Sequence, residues 1–186
     1  MADEAIDPHD QVVDAADALF YARGIRAVGM DDVRNAAGVS LKRLYALFPG
    51  KESLVLAVLR KRHAMWTEGL TAAVDMTEDP REKLLAVYDY LADWFAEDTF
   101  RGCGFINAFG ELGPTSPEVA AYAREHKQSF QEQLAGLVAG AGFDPALAPQ
   151  LAILAEGAQT TAAIEGSAEA AGHARRAAET LIAAAQ

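Results

Sequence analysis

Lys42, Arg43 and Tyr45 stand together in the segment SLKRLYALF (residues 40–48), and Lys51 follows just beyond it. Cations and a phenol at this spacing suit one chemistry above others, the neutralisation of phosphate and hydrogen bonding to base edges. The neighbouring residues supply a frame for them. Gly38 can take the left-handed conformation that ends a helix without a Cβ clash. Ser40 is placed to cap the next helix by accepting an amide proton from its first turn. Asp31 and Asp32 open the preceding helix, where negative charge suits the macrodipole. A short helix, a tight turn and a second, basic helix make a helix-turn-helix pattern, with the second helix a candidate for the DNA major groove.

The charge distribution gives this segment further weight. The 186-residue chain carries 16 Lys plus Arg against 27 Asp plus Glu, a net charge of -11. Residues 23–63 nevertheless hold nine basic and three acidic residues, while residues 64–186 hold seven basic and eighteen acidic ones. The basic island is where a polyanion would dock, and the acidic remainder would be repelled from it. The run Arg60-Lys61-Arg62 reads by itself as a solvated helix face, as most charge runs do.

Other chemistries find little support. His9, His63, His126 and His173 lack partners at zinc-ligand spacing, so no metal is expected. Cys103, the single cysteine, has no nucleophile motif around it and reads as a small buried thiol; no internal disulfide can form. Phosphate-cradling glycine loops and nucleophile-elbow patterns are absent, so neither an enzyme nor a cofactor is expected. No apolar run approaches the roughly 20 residues that span a bilayer, and the opening MADEAIDPHD is acidic, unlike a signal peptide. A reducing cytoplasm is the expected location.

The elements that must position these residues are helical throughout. Hydrophobic residues make up 51% of the chain, enough for a sizeable core, and strand-like alternation is absent. Pro8 follows Asp7 at the start of helix one, whose stripe runs Val12, Val13, Ala16, Leu19 and Phe20 until Gly24. Helices two and three are predicted over residues 30–37 and 41–48. Pro49-Gly50 breaks the chain before a long helix four from Lys51, with Val55, Leu59, Trp66, Leu70 and Val74 on one side. Asp79-Pro80 opens helix five. A short helix covers 103–112, and Ser116-Pro117-Glu118 starts helix seven, which ends at Gly140-Ala141-Gly142. Helix eight starts between Asp144 and Pro149, and Ser167 can cap helix nine.

The segment VVDAADALFYARGIRAVGMDDVRNAAGVSLKRLYALFPGKESLVLAVL (residues 12–59) resembles the DNA-binding domain of the tetracycline-repressor (TetR) family of bacterial transcription regulators. The resemblance rests on the LF…RG end of helix one, on DDV…AAGVS, on LY.LFP.KE.L, and on their mutual spacing. It implies an all-α fold in which an N-terminal helix-turn-helix domain, residues 1–50, joins a C-terminal ligand-sensing and dimerisation bundle, residues 51–186, through helix four. It further implies a homodimer that binds double-stranded operator DNA and, most often as a repressor, releases it when a small-molecule effector binds. Carried onto this chain, Lys42 and Arg43 probe bases, Tyr45 hydrogen-bonds a phosphate, Lys51 touches the backbone, and Leu44 and Phe48 anchor helix three in the core.

Several positions depart from the family pattern. Val28-Gly29 replaces the usual hydroxyl pair before helix two. Arg34 stands where a small alanine is common and offers a phosphate contact of its own. Leu41-Lys42-Arg43 replaces a Lys-Gly-Thr-like start of helix three, and Leu47 takes the place of a second aromatic. These changes leave the operator sequence open, and they keep a second reading in play, a helical interaction module that retains the fold without binding DNA. The segment RGCGFIN (residues 101–107) resembles what many family members carry there.

Two further sets complete the expectations. Trp66, Tyr88, Trp94, Phe105, Phe109 and Tyr122, with Asn107, Glu111 and His126 as polar groups, are candidates to line an effector cavity between helices five, six and seven. The aromatic residues serve equally well as ordinary bundle core. Helices eight and nine are rich in alanine and flanked by glycine, so Leu151, Leu154, Ala158, Ala162 and Leu181 are candidates for a four-helix dimer seam.

Overall fold

The computed structural model describes residues 7–185, and the first six residues of the opening read above as no signal peptide lie outside them. Among the described residues there are nine α-helices and no strand: α1 Pro8–Arg23, α2 Met30–Ala37, α3 Leu41–Leu47, α4 Lys51–Val74, α5 Pro80–Phe95, α6 Gly104–Leu112, α7 Pro117–Gly140, α8 Leu147–Glu165 and α9 Glu169–Ala184. None is long and apolar enough to cross a membrane.

Local chemistry sets most of the helix ends. Asp7 accepts from the His9 amide, with Pro8 already inside the first turn. Asp79 does the same at α5, accepting from Arg81 and Glu82 amides at 2.8 and 3.2 Å. Gly38 closes α2 at φ 65°, ψ 24°, the left-handed cap that a residue with a Cβ adopts only at a cost. Ser53 holds the entry to α4 by donating to the Gly50 carbonyl at 2.7 Å. Ser167 accepts from the Glu169 amide at the start of α9.

By internal contacts the chain forms two units that interleave in sequence. Unit 1 comprises the chain up to His63 and returns for Gly104–Ala123; unit 2 comprises Ala64–Cys103 and the chain from Arg124 onward. Helices α4 and α7 therefore contribute to both units, and α6 lies wholly in unit 1.

The core of unit 1 gathers Val12, Ala16 and Phe20 of α1, Val33 of α2, Leu44 of α3, Leu54, Val55 and Val58 of α4, and Phe105 and Ala108 of α6. Leu44 is fully buried, and burial of a side chain of this size stabilises by about 1.5–3 kcal/mol. It fixes which side of α3 faces outward. Unit 2 buries Leu70 of α4, Leu84, Tyr88 and Leu91 of α5, Phe130 and Leu134 of α7, and an alanine-rich face of α8 and α9. Small side chains there let helix backbones approach closely, and α8, α9 and α5 pack on one another.

Candidate nucleic-acid interface

The turn between α2 and α3 is built as its sequence dictates. Gly38 turns the chain, and Ser40 Oγ accepts from the Arg43 amide at 3.2 Å, fixing the first turn of α3. Lys42, Arg43 and Tyr45 then point outward, with Tyr45 46% exposed, while Leu44 points inward. Leu41 is also exposed beside them. Among the described residues neither Lys42 nor Arg43 has an ion-pair partner, so their charges are available to a polyanion.

Other cations of the island are already engaged. Arg34 Nε pairs with Asp31 at 3.2 Å, one helical turn away. Arg23 lies 4.0 Å from Asp32. Lys61 pairs with Asp14 at 2.9 Å and with Asp17 at 3.2 Å, and the Arg62 guanidinium pairs with Asp17 and stacks on the Tyr21 ring at 3.7 Å. Burial pulls the Lys61 ammonium down, but the hydrogen bonds and charges of Asp14 and Asp17 outweigh it and leave the pKa raised. The run at 60–62 is therefore mostly a structural tie between α4 and α1, with Arg60 left on the surface. Sequence reasoning saw a solvated face. The overlooked signal was Asp17, an acid set among the buried positions Val13, Ala16 and Phe20 of α1.

Gly29 precedes α2 without a side-chain cap, yet its amide donates to Asp32 at 2.8 Å, so half of a reciprocal cap survives the missing hydroxyl. Lys51, at the start of α4, is half-buried with its Nζ 5.9 Å from the Phe20 ring centre. Desolvation lowers its pKa, and the charges of Glu111 and Asp32 offset this in part.

Glu111 does something the sequence did not suggest. Its carboxylate accepts from the backbone amides of Ile25 at 2.8 Å and Arg26 at 2.7 Å, in the loop between α1 and α2. Gly24, at φ 84°, makes room for it, since a Cβ there would come within 3.3 Å of Glu111 Oε1. A second clasp joins Glu52 of α4 to the Ser116 hydroxyl at the start of α7, and Ser116 also accepts from the Val119 amide.

The residues considered for an effector cavity fall in both units. Phe105, Asn107, Phe109 and Tyr122 belong to unit 1, where Tyr122 lies 6.1 Å from both Phe105 and His63 between ring centres. Phe109 and Asn107 are exposed. Trp66, Trp94 and His126 belong to unit 2. There Trp66 meets Tyr90, Trp94, His126 and Phe130 edge-on at 5.4–6.2 Å, and its buried Nε1 has no hydrogen-bond partner among the described residues. Tyr88 is fully buried, and its hydroxyl donates to the Leu151 carbonyl at 2.9 Å, with burial pushing its pKa up. Of the residues considered for a dimer seam, Leu151, Ala158 and Ala162 are buried within unit 2 itself, and Leu154 and Leu181 are half-buried. The large exposed residues of α8 are instead Ile153 and Ile164. Among the described residues no cluster of His, Cys, Asp or Glu could hold a metal ion.

A buried anchor, a capped short helix and the outward Lys42 and Arg43, without ion-pair partners among the described residues, make up a helix-turn-helix. Residues 12–58 match the family model described as bacterial regulatory proteins, tetR family. The chain is 31% identical over 128 residues to the HTH-type transcriptional activator FasR of Mycolicibacterium smegmatis, a match covering 69% of this chain and 57% of that protein. It is 33% identical over 91 residues to the HTH-type transcriptional regulator BetI of Brucella anthropi, covering 48% and 47%. These matches span about half the length of the curated relatives. Among solved structures, a TetR-family transcriptional regulator from Streptomyces coelicolor aligns over 96% of this chain and 95% of its own, at 27% identity and a TM-score of 0.87. The chain belongs to the tetR family of bacterial regulatory proteins, which are transcription regulators and not enzymes.

Proposed function

We propose that this chain is a homodimeric, ligand-responsive repressor whose α3 reads a pseudo-palindromic operator. Lys42 and Arg43 contact base edges, Tyr45 and Arg34 contact phosphate, Ser40 holds the first turn of α3 in place, and Lys51 contributes at the entry to α4. The observation that carries the reading is the exposed Lys42–Arg43 pair beside the buried Leu44, without an ion-pair partner among the described residues. Selection from random duplex DNA tests it. An enriched site with two half-sites about 34–36 Å apart, or a further helical turn apart, supports a dimeric reader, whereas no enrichment refutes it.

The seam that we assign to the dimer is the outer face of α8. Ile153 and Ile164 are 73% and 82% exposed, and Gly157 between them has open space where a Cβ would stand. Half-buried Leu154 borders this stripe, and Leu181 offers apolar surface on α9. Leu154→Glu would carry a charge into an apolar contact. Sedimentation as a dimer at micromolar concentration despite that change would count against the seam.

The effector that we assign to unit 2 is a mainly apolar, ring-containing molecule held among Trp66, Tyr90, Trp94 and Phe130, with His126 as a polar neighbour. The unpartnered Trp66 indole N–H favours a ligand with a hydrogen-bond acceptor. Binding would shift the population of states through α4 and α7, the helices that belong to both units. A coupling of about 1–3 kcal/mol lowers operator affinity about 5–150-fold. A thermal-shift screen finds such ligands, and stabilisers that leave operator affinity unchanged would refute the coupling. Activation is the second reading, favoured by the name of the M. smegmatis relative, and a reporter placed behind the selected operator decides between the two.

A further inference from the structure

We infer that Glu111 is a positioning residue for DNA binding, a carboxylate that sets the α1–α2 loop and through it the helix-turn-helix; the inference rests on the DNA-reading function proposed above. Three features of unit 1 support it. First, the Glu111 carboxylate accepts from two successive backbone amides, Ile25 and Arg26, across 86 and 85 residues of sequence. Two directional bonds to one rigid acceptor fix the loop in both position and rotation, and bonds to a charged acceptor are stronger than those between neutral groups. Second, the loop is shaped for the carboxylate, because Gly24 adopts a left-handed φ at the point where a Cβ would press on Glu111. Third, the apolar contact that Phe105 and Ala108 give α6 leaves a gap beside this carboxylate. A cavity of about 30 Å³ lies among Phe20, Ile25, Val58, Arg62, Asn107 and Glu111, room enough for a water molecule.

The consequence reaches the DNA-reading helix by a short route. Arg26 is three residues before Gly29, whose amide begins the Asp32 half-cap of α2, and α2 leads through Gly38 to α3. A loop released from Glu111 lets α2 and α3 change their angle without unfolding. Glu111 is itself on α6, so any movement of α6 is delivered to the loop at this carboxylate.

The sign of the expected effect separates positioning from simple charge. Glu111 lies near Lys51, and removing a negative charge beside a DNA-binding face raises affinity for any duplex if electrostatics alone matters. Positioning demands the opposite on the specific site. Glu111→Gln keeps the shape, but its amide NH₂ confronts one backbone N–H; Glu111→Asp keeps the charge, but is one methylene too short to reach both amides. With the full chain, both variants should bind the selected operator about 3- to 30-fold more weakly, while affinity for random duplex stays equal or rises for Glu111→Gln. Amide hydrogen exchange at Ile25 and Arg26 should speed up in both, with the rest of α1 and α4 unchanged. Operator affinity equal to or above wild type in both variants overturns the inference, as does unchanged exchange at Ile25 and Arg26. If wild-type protein prefers no duplex at all, the DNA-reading function fails instead, and the exchange measurement still decides whether the clasp exists.

Discussion

Unit 1 and unit 2 both pack helices around an apolar core, but they differ in the polar ties laid over it. Unit 1 is laced by long-range polar ties: Asp17 with Arg62 and Lys61, Glu111 with the Ile25 and Arg26 amides, and Glu52 with Ser116. Unit 2 is packed from leucine, alanine and aromatic rings, with a buried Tyr88 to Leu151 hydrogen bond, one part-buried pair of Lys127 with Glu156, and the Arg175 contacts to Asp89 and Glu179 nearer the surface. Directional bonds fix angles; apolar packing fixes volume and tolerates repacking. Under the function proposed above, this division suits a unit 1 that presents α3 at one angle and a unit 2 that accommodates a ligand.

Loss of a polar tie should therefore hurt unit 1 most. We expect Asp17→Ala to destabilise the protein by about 3 kcal/mol, because it strands Arg62 in a largely buried position. Urea denaturation checks this, and a loss below about 1 kcal/mol would show that the tie is a surface pair of little consequence. The matching change in unit 2 should be milder. Leu134→Met, at a residue 1% exposed in an apolar setting, should cost less than about 1.5 kcal/mol. A cost equal to that of Asp17→Ala would erase the contrast between the units.

The smallest effect concerns pH. The folded pKa of Lys61 is raised above its ordinary value, so its contribution is complete below the unfolded value and fades as pH climbs through the folded one. Lys61→Met should lower stability by about 0.5 kcal/mol at neutral pH, and the difference from wild type should vanish at strongly alkaline pH. Thermal melts across that range read it directly. A difference that grows with pH would reverse the assignment.

Much of this architecture was legible in the sequence, because helix ends are local. Asp7-Pro8, Gly38, Ser40, Asp79-Pro80 and Ser116-Pro117 mark their boundaries within a turn of where the chain bends, and the outward set on α3 followed from Leu44 facing in. What the sequence hid was partnership at a distance. Periodicity tells which face of a helix is buried, not what it is buried against. Glu111 therefore read as a polar group beside a ligand, although its partners lie 85 and 86 residues away. Arg62 read as part of a solvated run, although Asp17 lies 45 residues away. Likewise the small residues of α8 read as a dimer seam, although Ala158 and Ala162 are buried within unit 2 itself.

Arg43 is the sharpest probe of base reading by the outward face of α3. Fluorescence anisotropy on the selected operator and on random duplex, across a series of salt concentrations, compares Arg43→Ala with wild type. A bidentate base contact gives about 1–3 kcal/mol of discrimination, and a dimer has two copies. Arg43→Ala should lose operator affinity far more than random-duplex affinity, with its melting temperature unchanged. Lys51→Ala, in the same assay, should weaken binding to both duplexes and flatten the salt slope by about one per subunit. Operator affinity equal to wild type for Arg43→Ala would rule out base reading by this face of α3.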